Sequence, residues 1–65
     1  MKLETLMIKA IREFKKANPK AEIRSCYVAS GFGSWQKWID AEFHIEYVLE
    51  SGGEYQSTDI HVAAN

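Results

Sequence analysis

Residues 39–47 run Ile39-Asp40-Ala41-Glu42-Phe43-His44-Ile45-Glu46-Tyr47, a strict alternation of apolar and polar side chains. Successive side chains of a β-strand point to opposite faces of the sheet, so a period of two indicates a half-buried strand. We expect the apolar set, beginning with Ile39, to face the core. The polar set then faces away from it.

A hairpin turn is predicted after this strand at Ser51-Gly52-Gly53-Glu54, because adjacent glycines tolerate the positive φ angles of two-residue loops. If the two glycines form the loop, pairing outward from them places Tyr47 opposite Thr58 and Ile45 opposite Ile60. Apolar side chains then meet on one face of a second and third strand.

Residues 2–17 are predicted to form an amphipathic helix, because apolar residues recur at spacings of three and four. The helix is expected to end near Ala17, since Asn18-Pro19 follows. Its apolar positions are Leu3, Leu6, Met7, Ala10, Ile11, Phe14 and Ala17.

A first strand is predicted over 21–29, but its apolar residues fall on both parities, which leaves its register open. In one of the two registers, Tyr27 lies opposite Trp38 and Ile23 lies opposite Glu42. A helix followed by three strands with short connections predicts a two-layer α+β domain, αβββ, in which the helix packs on an antiparallel meander sheet. At this length, residues 1–65 are expected to form a single domain.

The composition limits the classes of function. Residues 1–24 carry seven Lys/Arg and three Asp/Glu, whereas residues 25–65 carry one and six. A single cysteine, Cys26, excludes a disulfide within the chain and favours a reducing compartment. Apolar stretches are too short for a membrane span, and residues 1–17 lack the apolar block of a signal peptide, so we expect a cytoplasmic protein.

The solvent face of the predicted sheet carries most of the polar chemistry. The hairpin register places His44 directly opposite His61 and Glu46 opposite Asp59, with Glu42 next in line. Two imidazoles flanked by carboxylates suit a divalent transition metal, although no metal-ligand spacing motif is present. A second interpretation is an acidic surface that imitates nucleic acid, but a net charge of −1 is small for such a mimic. Its residues would be Asp40, Glu42, Glu46, Glu50, Glu54 and Asp59.

The connection from Gly31 to Trp38 combines glycines with large rings, which indicates a contact surface. By parity, Trp35 is expected to turn inward and Trp38 to lie on the uncovered face. Phe32 and Trp38 are therefore the predicted anchors for a partner. The full set of predicted partner-binding residues is Phe32, Trp38, Lys37, Tyr27, Glu42, His44, Glu46, Asp59 and His61.

These residues favour a small non-enzymatic interaction module, of inhibitor or adaptor type, that binds a protein partner or a second copy of itself. No nucleophile with an adjacent base and no phosphate-binding fingerprint is recognisable, so no catalytic residue, cofactor or small-molecule substrate is predicted. The alternative is a nucleic-acid-binding domain that uses the basic helix and the loop aromatics. The acidic balance of the sheet opposes that alternative.

Overall fold

A computed structural model of the chain describes residues 1–34 and 37–64. The strands form one antiparallel sheet in the order β1-β2-β3, and the helix packs on one of its faces. The predicted α+β class and αβββ order are therefore confirmed. The elements are α1 (Leu3–Ala17), β1 (Glu22–Phe32), β2 (Asp40–Val48) and β3 (Gln56–Ala63).

The helix buries the centre of the stripe that its sequence predicts, whereas Ala17, at the end of that stripe, is exposed. Leu6, Ala10 and Phe14 are buried at a spacing of four residues. Asn18 ends the helix as predicted, because both its backbone N–H and its side-chain amide donate to the carbonyl oxygen of Phe14, at 2.9 and 3.1 Å. Among the described residues, no helix is long and apolar enough to cross a membrane.

The core lies between α1 and the central strand β2. One buried cluster joins Leu6 and Ala10 to Phe43, with Ala41 and Val62 beside them. A second cluster consists of Phe14, Ala21 and Ile45. The ring of Tyr47 extends this second cluster, meeting Phe14 edge-on at a centroid distance of 4.7 Å.

Two β-bulges explain why the register of β1 could not be predicted from parity. The pairing with β2 shifts by one residue between Ile23 and Ser25 and again between Val28 and Ser30. Each bulge moves the following side chains to the other face. Ile23 therefore pairs with Tyr47 on the helix side, and the proposed register that paired Ile23 with Glu42 and Tyr27 with Trp38 is wrong.

The β2–β3 register differs by two residues from the predicted one. Ile45 pairs with Thr58 and Phe43 with Ile60, so Ile45 is not opposite Ile60. The predicted two-residue loop is wrong, because the hairpin connection spans residues 49–55 and its turn is closed by the Gly53 N–H donating to the Glu50 carbonyl at 2.9 Å. A shift of two residues keeps every side chain on its predicted face.

The β1–β2 connection is shorter than predicted, since Gly31 and Phe32 belong to β1. Ile39 precedes β2 and is 53% exposed, so its predicted place in the core is wrong. Gly33 has a φ of 138°, and a Cβ atom there would lie 2.5 Å from the Cα of Trp38. Only glycine fits both the backbone conformation and the space at this position.

Gly33→Ala is expected to lower the free energy of unfolding by about 2 kcal/mol or more, because strain and a backbone clash add together. Gly52→Ala is the matched control, since Gly52 also has a positive φ, of 80°, but open space where the Cβ would stand. Its expected loss is about 1 kcal/mol. Urea unfolding of both variants measures the difference, and equal losses would contradict the clash.

Cys26 is half-buried against both core clusters, and this burial raises the pKa of its thiol. We expect iodoacetamide at neutral pH to alkylate Cys26 more slowly in the folded chain than in urea, because burial disfavours the reactive thiolate. Because the folded thiol holds its proton more tightly, stability should be retained at neutral pH and decline above about pH 8.5. Equal alkylation rates in the folded chain and in urea would contradict the burial of Cys26.

Candidate functional site

The face of the sheet opposite α1 is the candidate functional surface, called here the open face. Its side chains alternate with the buried residues of β2 and with their partners on the neighbouring strands. The open face consists of Ser25, Tyr27, Ser30 and Phe32 on β1, Asp40, Glu42, His44 and Glu46 on β2, and Ser57, Asp59, His61 and Ala63 on β3.

One row of the open face joins all three strands through side-chain contacts. The rings of Tyr27 and His44 lie with centroids 5.1 Å apart at an interplanar angle of 39°. On its other side, His44 Nδ1 lies 2.8 Å from Asp59 Oδ1. An ionised carboxylate only accepts hydrogen bonds, so His44 donates through Nδ1 and its ring is fixed between the two neighbours.

The adjacent rows orient further carboxylates. Ser25 Oγ donates to Glu46 Oε1 at 2.6 Å, across the β1–β2 pair. On the other side of the central row, His61 lies opposite Glu42, and its Nε2 is 3.6 Å from Asp40 Oδ2. This distance allows an electrostatic attraction but is too long for a direct hydrogen bond.

The charges of the protein are divided between its two layers. The residues of the open face include Asp40, Glu42, Glu46 and Asp59, which give it a formal charge of −4 with neutral imidazoles. Arg24, at the first bulge of β1 beside Ser25, is ion-paired with Glu22 at 3.3 Å. The cationic side chains of α1 lie on the other side of the sheet. The outcome is a polarised domain whose open face attracts positive charge.

Most of the predicted partner-binding residues do stand on the open face. Tyr27 and Phe32 are 51% and 67% exposed, which is high for large rings. The predicted polar residues on the same face are Glu42, His44, Glu46, Asp59 and His61. Lys37 is exposed in the β1–β2 connection, where its backbone N–H donates to the Ser34 carbonyl at 2.9 Å.

Trp38 does not lie on the uncovered face, so its predicted place there is wrong. Its indole packs against the buried cluster that contains Ala41, on the helix side of the sheet. Gly31 makes this possible, because a Cβ atom at that position would stand 2.9 Å from Trp38 Cζ3. The prediction that Trp35 turns inward concerns a residue that lies outside the described residues.

The metal hypothesis required His44 and His61 to face each other directly. That pairing is wrong, because His44 pairs with Asp59 and His61 with Glu42. Across residues 1–34 and 37–64, no group of three or more His, Cys, Asp or Glu side chains is arranged to hold a metal ion. No pocket is found within this part of the chain.

Parity alone missed the contact between Tyr27 and His44, but the sequence of β1 does contain a signal for it. Ile23 and Cys26 are three residues apart, and a spacing of three between core-facing residues of one strand is what a bulge produces. A bulge between Ile23 and Cys26 lets both residues face the core. Tyr27, the next residue after Cys26, then points to the open face, whatever the pairing register of β1 with β2.

In comparisons with known proteins, the chain matches no protein-family model, no curated protein and no solved structure.

The His44–Asp59 contact predicts one tautomer. At mildly alkaline pH, His44 is expected to carry its proton on Nδ1, which a long-range ¹H–¹⁵N correlation spectrum measures. Asp59→Ala removes the acceptor and should abolish this preference, whereas Glu54→Ala, in the hairpin connection, should leave it unchanged. A wild-type His44 protonated mainly on Nε2 would contradict the contact.

Proposed function

We propose that this chain is a non-enzymatic interaction module whose open face binds a protein partner. The observation that carries the proposal is the pair of exposed rings, Tyr27 and Phe32, on a sheet face that no other described element covers. Aromatic side chains bury a large area at modest entropic cost, and they are enriched among the residues that dominate binding energy.

The surroundings of the two rings support an interface. Tyr27 is held against His44, and His44 is held by Asp59, so the central row is ordered before a partner arrives. An ordered surface loses less conformational entropy on binding. Polar residues of β2 lie beside both rings on the same face, so apolar and polar groups stand together there, as they do in protein interfaces.

The nucleic-acid alternative has weaker support. It requires the basic side chains of α1 and exposed rings to contact one ligand. Tyr27 and Phe32 stand on the opposite side of the sheet from α1, and Trp38 packs in the core. The open face is also acidic, so phosphate groups would be repelled from the rings.

The test is affinity capture from the host with the whole chain as bait, followed by measurement of Kd for each purified candidate partner. We expect the Tyr27→Ala, Phe32→Ala double variant to weaken binding by about tenfold or more, the loss typical of interface anchors. Trp38 is left intact because its replacement would disturb the core.

Ile8→Ala is the matched control, since Ile8 is 52% exposed and belongs to α1 rather than to the open face. This variant should bind like the wild type, and circular dichroism should show that all variants are folded. A partner whose Kd is unchanged by the double variant would place the interface elsewhere. Failure to capture any specific partner, together with a monomer in light scattering at high concentration, would overturn the proposal.

A further inference from the structure

We propose that the partner presents an arginine-rich segment to the open face, with a guanidinium group stacked on Tyr27 among the carboxylates of Glu42, Glu46 and Asp59. This inference rests on the proposed function and adds the chemistry of the partner. It follows from charge complementarity, because the residues of the face combine exposed rings with four carboxylates, and the nearby cation Arg24, at the first bulge of β1, is already ion-paired with Glu22 at 3.3 Å.

The carboxylates near Tyr27 lie on the β2 side of its ring, because β1 is an edge strand of the sheet. His44, which contacts Tyr27, is flanked along β2 by Glu42 and Glu46, and Asp59 lies beyond it on β3. The hydrogen bond from Ser25 occupies one oxygen of Glu46, and that from His44 occupies one oxygen of Asp59. A carboxylate has two oxygens, so each retains capacity for a donor from a ligand.

Arginine fits this surface better than lysine does. Its planar guanidinium stacks on an aromatic face and offers five N–H donors in fixed directions, whereas the lysine ammonium is a compact, strongly hydrated point charge. A ring with carboxylates beside it on the neighbouring strand uses both properties of the guanidinium. Charge-assisted hydrogen bonds to the carboxylates then add to the stacking.

A second copy of the chain also offers cations, on its helix, but two of them are already engaged. Lys9 Nζ donates to the carbonyl oxygen of Ala63, and Lys15 Nζ donates to that of Ala21, both at 2.8 Å. The exposed acidic residues Glu4 and Glu13 lie on the same helix. The helix is therefore a poorer complement to the open face than an arginine-rich segment is.

The experiment titrates the whole chain with a fluorescent arginine-rich peptide, a lysine peptide of equal length and charge, and a neutral Gly/Ser peptide. Anisotropy at about 50 mM salt gives each Kd, and a repeat at about 300 mM measures the screening of the interaction. We expect the arginine peptide to bind at least about threefold tighter than the lysine peptide, and the neutral peptide not to bind.

Variants that each remove one negative charge distinguish binding at the open face from a general electrostatic attraction of the peptide to the protein. Glu42→Gln and Asp59→Asn should each weaken binding of the arginine peptide by about fivefold. The control Glu13→Gln, on α1, should change it less than about twofold. Tyr27→Phe keeps the stacking ring and should retain binding, whereas Tyr27→Ala should lose it.

Absence of binding at low salt, equal affinity for the two cationic peptides, or equal losses in Glu42→Gln and Glu13→Gln would overturn the arginine proposal. So would a dimer in light scattering that the open-face variants dissociate, because a second copy would then be the occupant. If the captured partner still depends on Tyr27 and Phe32 while the arginine peptide fails, the interaction function stands and only the chemistry of the partner is wrong.

Discussion

The structure depends on the packing of one helix stripe against one strand. Leu6, Ala10 and Phe14 meet the buried side chains of β2, chiefly Phe43 and Ile45. A chain of 65 residues has little other apolar surface with which to offset the loss of conformational entropy. Because one helix covers only one side of the sheet, the same packing leaves the other side uncovered, and the candidate interface is the direct consequence.

The uncovered side is organised by contacts that cross the strands. The row from Tyr27 through His44 to Asp59 joins β1, β2 and β3, and the Ser25–Glu46 hydrogen bond supports the neighbouring row. These contacts hold rings and carboxylates in fixed relative positions on the face that carries the negative charge. The helix on the other side carries the positive charge, so the two layers present different surfaces to a partner.

The stretch from Gly31 to Trp38, which combines large rings with glycines, has a mainly structural role in the residues described. Gly33 permits the backbone to turn back, and Gly31 leaves space for the indole of Trp38. Trp38 then closes the end of the core beside Ala41. Only Phe32, at the end of β1, remains from this stretch as an exposed ring on the open face.

The amino-acid sequence alone predicts the helix, the core face of β2 from Ala41 onward, and the face to which His44, Asp59 and His61 belong. These assignments depend on periods of 3.6 and two, and a register error of two residues leaves every face unchanged. Which of these residues meet is known only from the folded chain, because the length of the hairpin connection and the bulges in β1 select the partners. The tertiary structure also decides that Trp38 turns inward, since Gly31, from the neighbouring strand, provides the space for its ring.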